Sequence, residues 1–243
     1  QTLYANTTAS NNTAVGMNSL VANTTGDRNT ALGASAGANF TTGDDNTAIG
    51  RAALFTATTV SDLVAVGKNA LYANTTGSEN TAVGYEAGAA ITTAAANTLV
   101  GYVSGDALTT GGYNTAVGSG SLSAATTATQ NTAVGYTAGD AITTGTRTVA
   151  VGYNAGGGIT TGDSNVAIGY QALMTEDEHS NNVAVGASAL QTQNAGAHAY
   201  NTAVGFEAGK AVTTGTALTL IGSLAGDSLT DCDFNTAVGF ASL

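Results

Sequence analysis

Small and aliphatic residues return along this chain at a fixed interval of 17 residues, bounded each time by Asn and Gly. The repeats open at Asn12, Asn29, Asn46, Leu63, Asn80, Asn97, Asn114, Asn131, Thr148, Asn165, Asn182, Asn201, Leu218 and Asn235. Only the step from Asn182 to Asn201 departs, by two extra residues. A short fixed period is the mark of a solenoid, in which each repeat is one coil that buries itself against its neighbours. Counting from the opening residue, position 2 is Thr or Val, position 3 Ala or Leu, position 4 Val, Ile or Leu, and position 5 Gly in every coil. The β-branched run between Asn and Gly predicts a strand of about four residues with turns on both sides.

Side chains alternate faces along a strand, so positions 2 and 4 share one face and position 3 takes the other. Neither face is polar, and such a strand is covered on both sides. One cover is the inside of its own coil; the other is expected to be a partner chain. Gly at position 5 fits either a positive φ or a close approach of neighbouring backbone. The Asn ladder at position 1 (Asn12, Asn29, Asn46, Asn80, Asn97, Asn114, Asn131, Asn165, Asn182, Asn201 and Asn235) is expected to bond coil to coil or to turn backbone.

The second half of the coil follows a rule. Where position 9 is Leu, position 12 is small or polar: Leu20 with Asn23, Leu54 with Ala57, Leu71 with Asn74, Leu122 with Ala125, Leu173 with Glu176, Leu190 with Gln193. Where position 9 is Gly, position 12 is large and apolar: Gly37 with Phe40, Gly88 with Ile91, Gly105 with Leu108, Gly139 with Ile142, Gly156 with Ile159, Gly209 with Val212, Gly226 with Leu229. One core slot per coil, filled from either position, accounts for this. Filling it twice overpacks and leaving it empty opens a void. The expectation is an all-β chain, a parallel β-solenoid (β-roll or β-helix) of about 14 coils, with residues 1–243 forming a single array. Gln1 and Leu243 fall in mid-coil, and neither end shows a polar cap. The array is therefore expected to belong to a longer fibre or to stack end to end.

Composition narrows the function. Charged residues are 9% of the chain, against roughly a quarter in an ordinary domain. There is no proline, and aliphatic residues sit at fixed places, so the chain reads as ordered rather than disordered. A net charge of −11 argues against nucleic acid and against an anionic membrane surface. No apolar run reaches the roughly 20 residues of a membrane helix. Cys232 is alone, which excludes an internal disulfide. N-x-S/T sites at Asn6, Asn11, Asn23, Asn39 and Asn74 follow from the repeat itself.

No nucleophile, base and orienting group occur together, so no enzyme and no cofactor are expected. Glycine patterns such as Gly118-Ser119-Gly120 carry no phosphate-loop signal in a chain with 33 glycines and no helical pattern. One irregular patch stands out. Asp177, Glu178 and His179, preceded by Glu176, replace Thr-Thr-Gly, and the next coil holds the insertion and His198. Counted back from the following Asn, the two histidines share a place in consecutive coils, about 5 Å apart. A metal or pH-sensitive site is conceivable there, but a solvated bulge is the favoured reading. Aromatic residues recur at position 6 (Tyr85, Tyr102, Tyr136, Tyr153, Tyr170, Phe206, Phe240) and read first as packing between coils, secondarily as a docking or sugar-binding face.

Coils reading N-T-A-V-G-Y-x-A-G, N-T-A-I-G and N-V-A-I-G resemble the head repeats of trimeric autotransporter adhesins. The longer form, with T-T-G, is similar to repeats in phage tail fibres. The resemblance implies a left-handed roll of three chains about a common axis, serving as a rigid extracellular stalk or adhesive head on a virion or cell surface. It implies a host receptor or glycan as partner and no catalytic residue. Two other readings stand beside the adhesive fibre. One is an ice-binding solenoid with Thr24, Thr41, Thr58, Thr75, Thr92, Thr109, Thr126, Thr143, Thr160 and Thr213 as a surface ladder. The other is a self-assembling extracellular filament.

Overall fold

A computed structural model of the chain describes residues 1–196 and 198–243. The regular elements among them are 14 three-residue strands at positions 2 to 4 of the coils. In chain order, β1 to β14 are Thr13–Val15, Thr30–Leu32, Thr47–Ile49, Val64–Val66, Thr81–Val83, Thr98–Val100, Thr115–Val117, Thr132–Val134, Val149–Val151, Val166–Ile168, Val183–Val185, Thr202–Val204, Thr219–Ile221 and Thr236–Val238. The chain divides into two compact units, residues 1–119 with 124–127 and residues 120–123 with 128–243. Each unit is a parallel β-solenoid. In the first, β1 to β7 pair in sequence order, Thr13 opposite Thr30 and Ala14 opposite Ala31. In the second, β8 to β14 do the same. Val183 of β11 faces Thr202 of β12, so the insertion leaves the strand register intact.

Position 3 points inward. Ala31, Ala48, Ala65 and Ala82, and Leu99 in β6, are fully buried. Positions 2 and 4 point outward, with Val15 54% and Leu32 48% exposed. At position 5 both reasons for Gly hold together: Gly33 has φ +135°, and a Cβ there would lie 2.7 Å from Gly50 C and O. Close stacking of coils and the left-handed turn are thus one feature.

The slot rule holds in the packing. Leu20, Phe40, Leu54, Leu71, Ile91 and Leu108 are fully buried, whichever position supplies them. A Cβ on Gly37 would sit 2.9 Å from Phe40 Cδ2, so a second occupant does not fit. Position 9 also lies in the left-handed region, as at Leu20 (φ 46°) and Leu54 (φ 50°). Gly relieves that strain wherever position 12 fills the core. Leu99 and Leu220 at position 3 enter the same space. Leu99 packs beside Gly88 and Gly105, and Leu220 beside Gly209 and Gly226.

Candidate functional site

Three side-chain ladders hold the coils together. At position 1, the Asn amide nitrogen donates to the position-15 carbonyl of its own coil: Asn12 to Gly26 (2.8 Å), Asn29 to Gly43 (2.7 Å), Asn80 to Ala94 (2.7 Å), Asn131 to Gly145 (2.8 Å). The amide oxygen accepts the backbone N–H opening the next coil, as Asn12 from Asn29 (2.8 Å), Asn29 from Asn46 (3.0 Å) and Asn97 from Asn114 (3.0 Å). Asn12, Asn29 and their regular counterparts therefore close one coil and tie on the next, the two roles left open by the sequence. Asn235 instead donates to Asp233 O (3.1 Å).

At position 13, the Thr hydroxyl donates to the position-13 carbonyl of the following coil. Thr24 bonds Thr41, Thr41 bonds Thr58, Thr75 bonds Thr92, Thr92 bonds Thr109, Thr109 bonds Thr126, Thr143 bonds Thr160 and Thr213 bonds Thr230, at 2.9 to 3.2 Å. The ladder suggested for a surface role spends its hydroxyl protons on backbone. The outward residue of each pair is the next one, as at Thr25, Thr42, Thr59 and Thr76.

The third ladder, at position 16, escaped the sequence reading. Here a side-chain oxygen accepts the backbone N–H of the preceding coil: Asp27 from Ser10, Asp44 from Asp27, Ser61 from Asp44, Asp163 from Thr146, Ser180 from Asp163 and Asp233 from Thr216. The signal was present, since acceptor side chains of Asp and Ser recur at one offset. Beside it at position 17, Arg28 grips Asp45 of the next coil through two bonds of 2.7 and 2.8 Å and holds that carboxyl below its usual range. Both groups are exposed, and such pairs contribute little to stability.

The irregular patch is built on these ladders. Asp177 stands in the position-13 place, and its carbonyl and carboxylate accept the Thr160 hydroxyl. Glu178 is exposed. The His179 carbonyl takes the Asn165 amide (2.8 Å), and its ring Nδ1 donates to Glu176 Oε1 (2.8 Å). His198 is exposed, accepts the Ser180 N–H on Nδ1 (3.3 Å) and lies edge-on to Tyr200 at 6.2 Å. One histidine thus turns to a buried carboxylate and the other to the neighbouring backbone. Among the described residues, no three His, Cys, Asp or Glu side chains gather as a metal site would require. The insertion leaves one ladder member unserved: Asn182 accepts nothing less than its neighbours do, taking the Asn201 N–H at 3.1 Å, but its buried amide nitrogen has no partner.

Position 6 forms outward aromatic stacks. Tyr85 and Tyr102 lie 5.2 Å apart, with Lys68 Nζ 4.9 Å from the Tyr85 centroid. Tyr136, Tyr153 and Tyr170 stack at 5.4 and 5.3 Å. Ring faces inside a stack are covered by neighbouring rings, which leaves edges for a partner. Of the N-x-S/T sites, Asn23 and Asn74 are fully buried and bond Gly26 and Gly77 of their own coils. Asp106 and Asp140 at position 10 are half-buried, and burial raises both carboxyls above the ordinary value; Glu86 adds to the effect at Asp106. Against this geometry, no protein-family model, curated protein or solved structure matches the chain.

Proposed function

We propose that this chain is a structural and adhesive fibre segment whose copies associate, three together, through the outward strand face. The observation that carries the reading is the chemistry of that face. Positions 2 and 4 are Thr, Val, Ile or Leu in all 14 coils, with no charge, on a chain of net charge −11. Val15 and Leu32 stand exposed on this face of the first unit, and Ile168, Val204, Ile221 and Val238 on that of the second. A repeated apolar surface of this kind is typical of an interaction site. Acids elsewhere repel like chains, while this face offers them no repulsion. The resemblance to adhesin heads and tail fibres supports the extracellular setting and a receptor or glycan as the eventual ligand.

Sedimentation equilibrium tests the reading. The expected mass is three times the 23.6 kDa of one chain. Val83→Glu combined with Val100→Glu puts acids on the outward face of β5 and β6, and should give single chains with an unchanged β-rich circular dichroism spectrum. A single-chain mass for the unaltered protein at every concentration would overturn it.

A further inference from the structure

Five of the nine tyrosines are stacked on one another. All five hold position 6, directly after the glycine at which neighbouring coils approach closely. In the first unit, Tyr85 and Tyr102 lie 5.2 Å apart and 13° from parallel. In the second, Tyr136 and Tyr153 lie 5.4 Å apart at 15°, and Tyr153 and Tyr170 5.3 Å apart at 17°. Backbone bonds fix each coil against the next beside the rings: Val103 N–H donates to Tyr85 O, Asn154 N–H to Tyr136 O and Gln171 N–H to Tyr153 O, each at 2.9 Å. All five side chains are exposed. The other four tyrosines have no tyrosine beside them. Tyr72 stacks on Phe55 at 5.2 Å, Tyr200 lies edge-on to His198, and among the described residues no ring lies against Tyr4 or Tyr113.

We propose that the two tyrosine stacks are oxidative cross-linking sites, at which a peroxide joins adjacent rings as dityrosine and so ties coil to coil within one chain. Hydrogen peroxide, acting through a haem peroxidase, takes one electron and one hydroxyl proton from each of two neighbouring rings and is reduced to two waters. The two phenoxyl radicals join through a carbon ortho to each oxygen, one Cε from either ring, and form one C–C bond. Each joined carbon then releases its hydrogen as a proton while a proton returns to each oxygen, which restores both phenols. The ortho carbons lie on the ring edges, which stacking leaves open. Holding the two centres side by side turns a chance meeting of radicals into an intramolecular step. Each bond spans one 17-residue period, and closing such a loop removes freedom from the unfolded chain. The proposal is independent of the fibre reading, because each stack belongs to one chain.

Treating the intact chain with a haem peroxidase and hydrogen peroxide tests it, the product being separated by denaturing electrophoresis and its peptides mapped by mass spectrometry. The expected result is dityrosine fluorescence in a band that still runs as one 23.6 kDa chain. Its linked peptides should pair Tyr85 with Tyr102, and Tyr153 with Tyr136 or Tyr170. Tyr72 should enter no link inside the chain, because its stacked neighbour Phe55 carries no phenol. Tyr102→Phe and Tyr153→Phe remove a hydroxyl and keep the ring, and Phe55 shows that such a ring still stacks. Tyr102→Phe should abolish the link to Tyr85 alone, and Tyr153→Phe both links of the trio. Dityrosine absent from the single-chain band, whether the oxidant spares these rings or joins chains instead, would overturn the proposal. So would single-chain dityrosine that survives the two substitutions together at its original yield.

Discussion

The single bulky side chain that fills each coil is the residue on which the core depends. Leu54 is fully buried and opposite it Ala57 is fully buried too. Leu54→Gly should cost about 2–5 kcal/mol, the range for emptying a core site. Adding Ala57→Ile should recover much of the loss, because Gly-then-Ile is the arrangement at Gly88 and Ile91. Urea unfolding of the two single variants and the double variant checks this; additive effects would disprove the shared slot. The slot was legible in the sequence because two positions trade one property, and a trade shows in letters. The strain at position 9 was not legible. Leu20 and Leu54 sit at positive φ without any local sign of it, held there by neighbouring coils.

Asp106 and Asp140 make a second residue-scale prediction. Burial raises their carboxyls above the ordinary 3.8 in the folded chain. The folded state then binds more protons than the unfolded one as pH climbs from that value, so stability falls through the window and stays lowered above it. Asp106→Asn with Asp140→Asn should therefore raise the thermal midpoint at neutral pH. The gain should shrink to nothing near pH 3, as melts across a pH series would show.

At the scale of the element, strands of three residues are too short to hold one another unaided, and the side-chain ladders supply the rest. Asn46 carries the load in miniature. It donates to Val60 O (2.8 Å) and Asn29 Oδ1 (3.0 Å), and accepts the Leu63 N–H (3.1 Å). Asn46→Ala should deprive the Val60 carbonyl and the Leu63 N–H of these bonds, at about 1–3 kcal/mol for each one left unsatisfied, while Asn29 Oδ1 keeps the Asn46 N–H. Faster amide exchange at Leu63 and Thr47 than at Thr98 would register the loss as local. The Asn ladder could be read from the recurrence of one residue type. The position-16 ladder could not be read so easily, because Ser10, Asp27, Ser61 and Asp163 differ in letter and share only an acceptor oxygen. The partner of His198 was hidden for a related reason. Counting back from Asn201 sets it level with His179, yet its bond is to Ser180, one residue further on. An insertion changes which atoms meet even when strand register survives.

For the whole molecule, the period foretold a parallel solenoid with one strand per coil, and the coordinates of each unit have that form. Which way each strand face points needed three dimensions, since positions 3 and 4 are both apolar. The decision falls to the size of the interior: Ala fits between facing coils, and the Val, Ile or Leu at position 4 goes outside. The outward face is the reason to measure mass before ligand binding. If Val83→Glu with Val100→Glu yields single chains, a receptor assay on that variant separates what one chain can hold from what needs neighbours.

The Asn that opens most windings has a further consequence. Its nitrogen serves the loop behind it and its oxygen the loop ahead, so winding after winding hands the same fitting to its successor, with Leu63, Thr148 and Leu218 the openings that lack it. Such a thread can gain or lose whole windings at little structural cost, and its length is free to drift in steps of one period over evolutionary time. Any other step disturbs the handover: after the two extra residues that follow Asn182 its oxygen still serves the next winding, while its nitrogen finds nothing to serve.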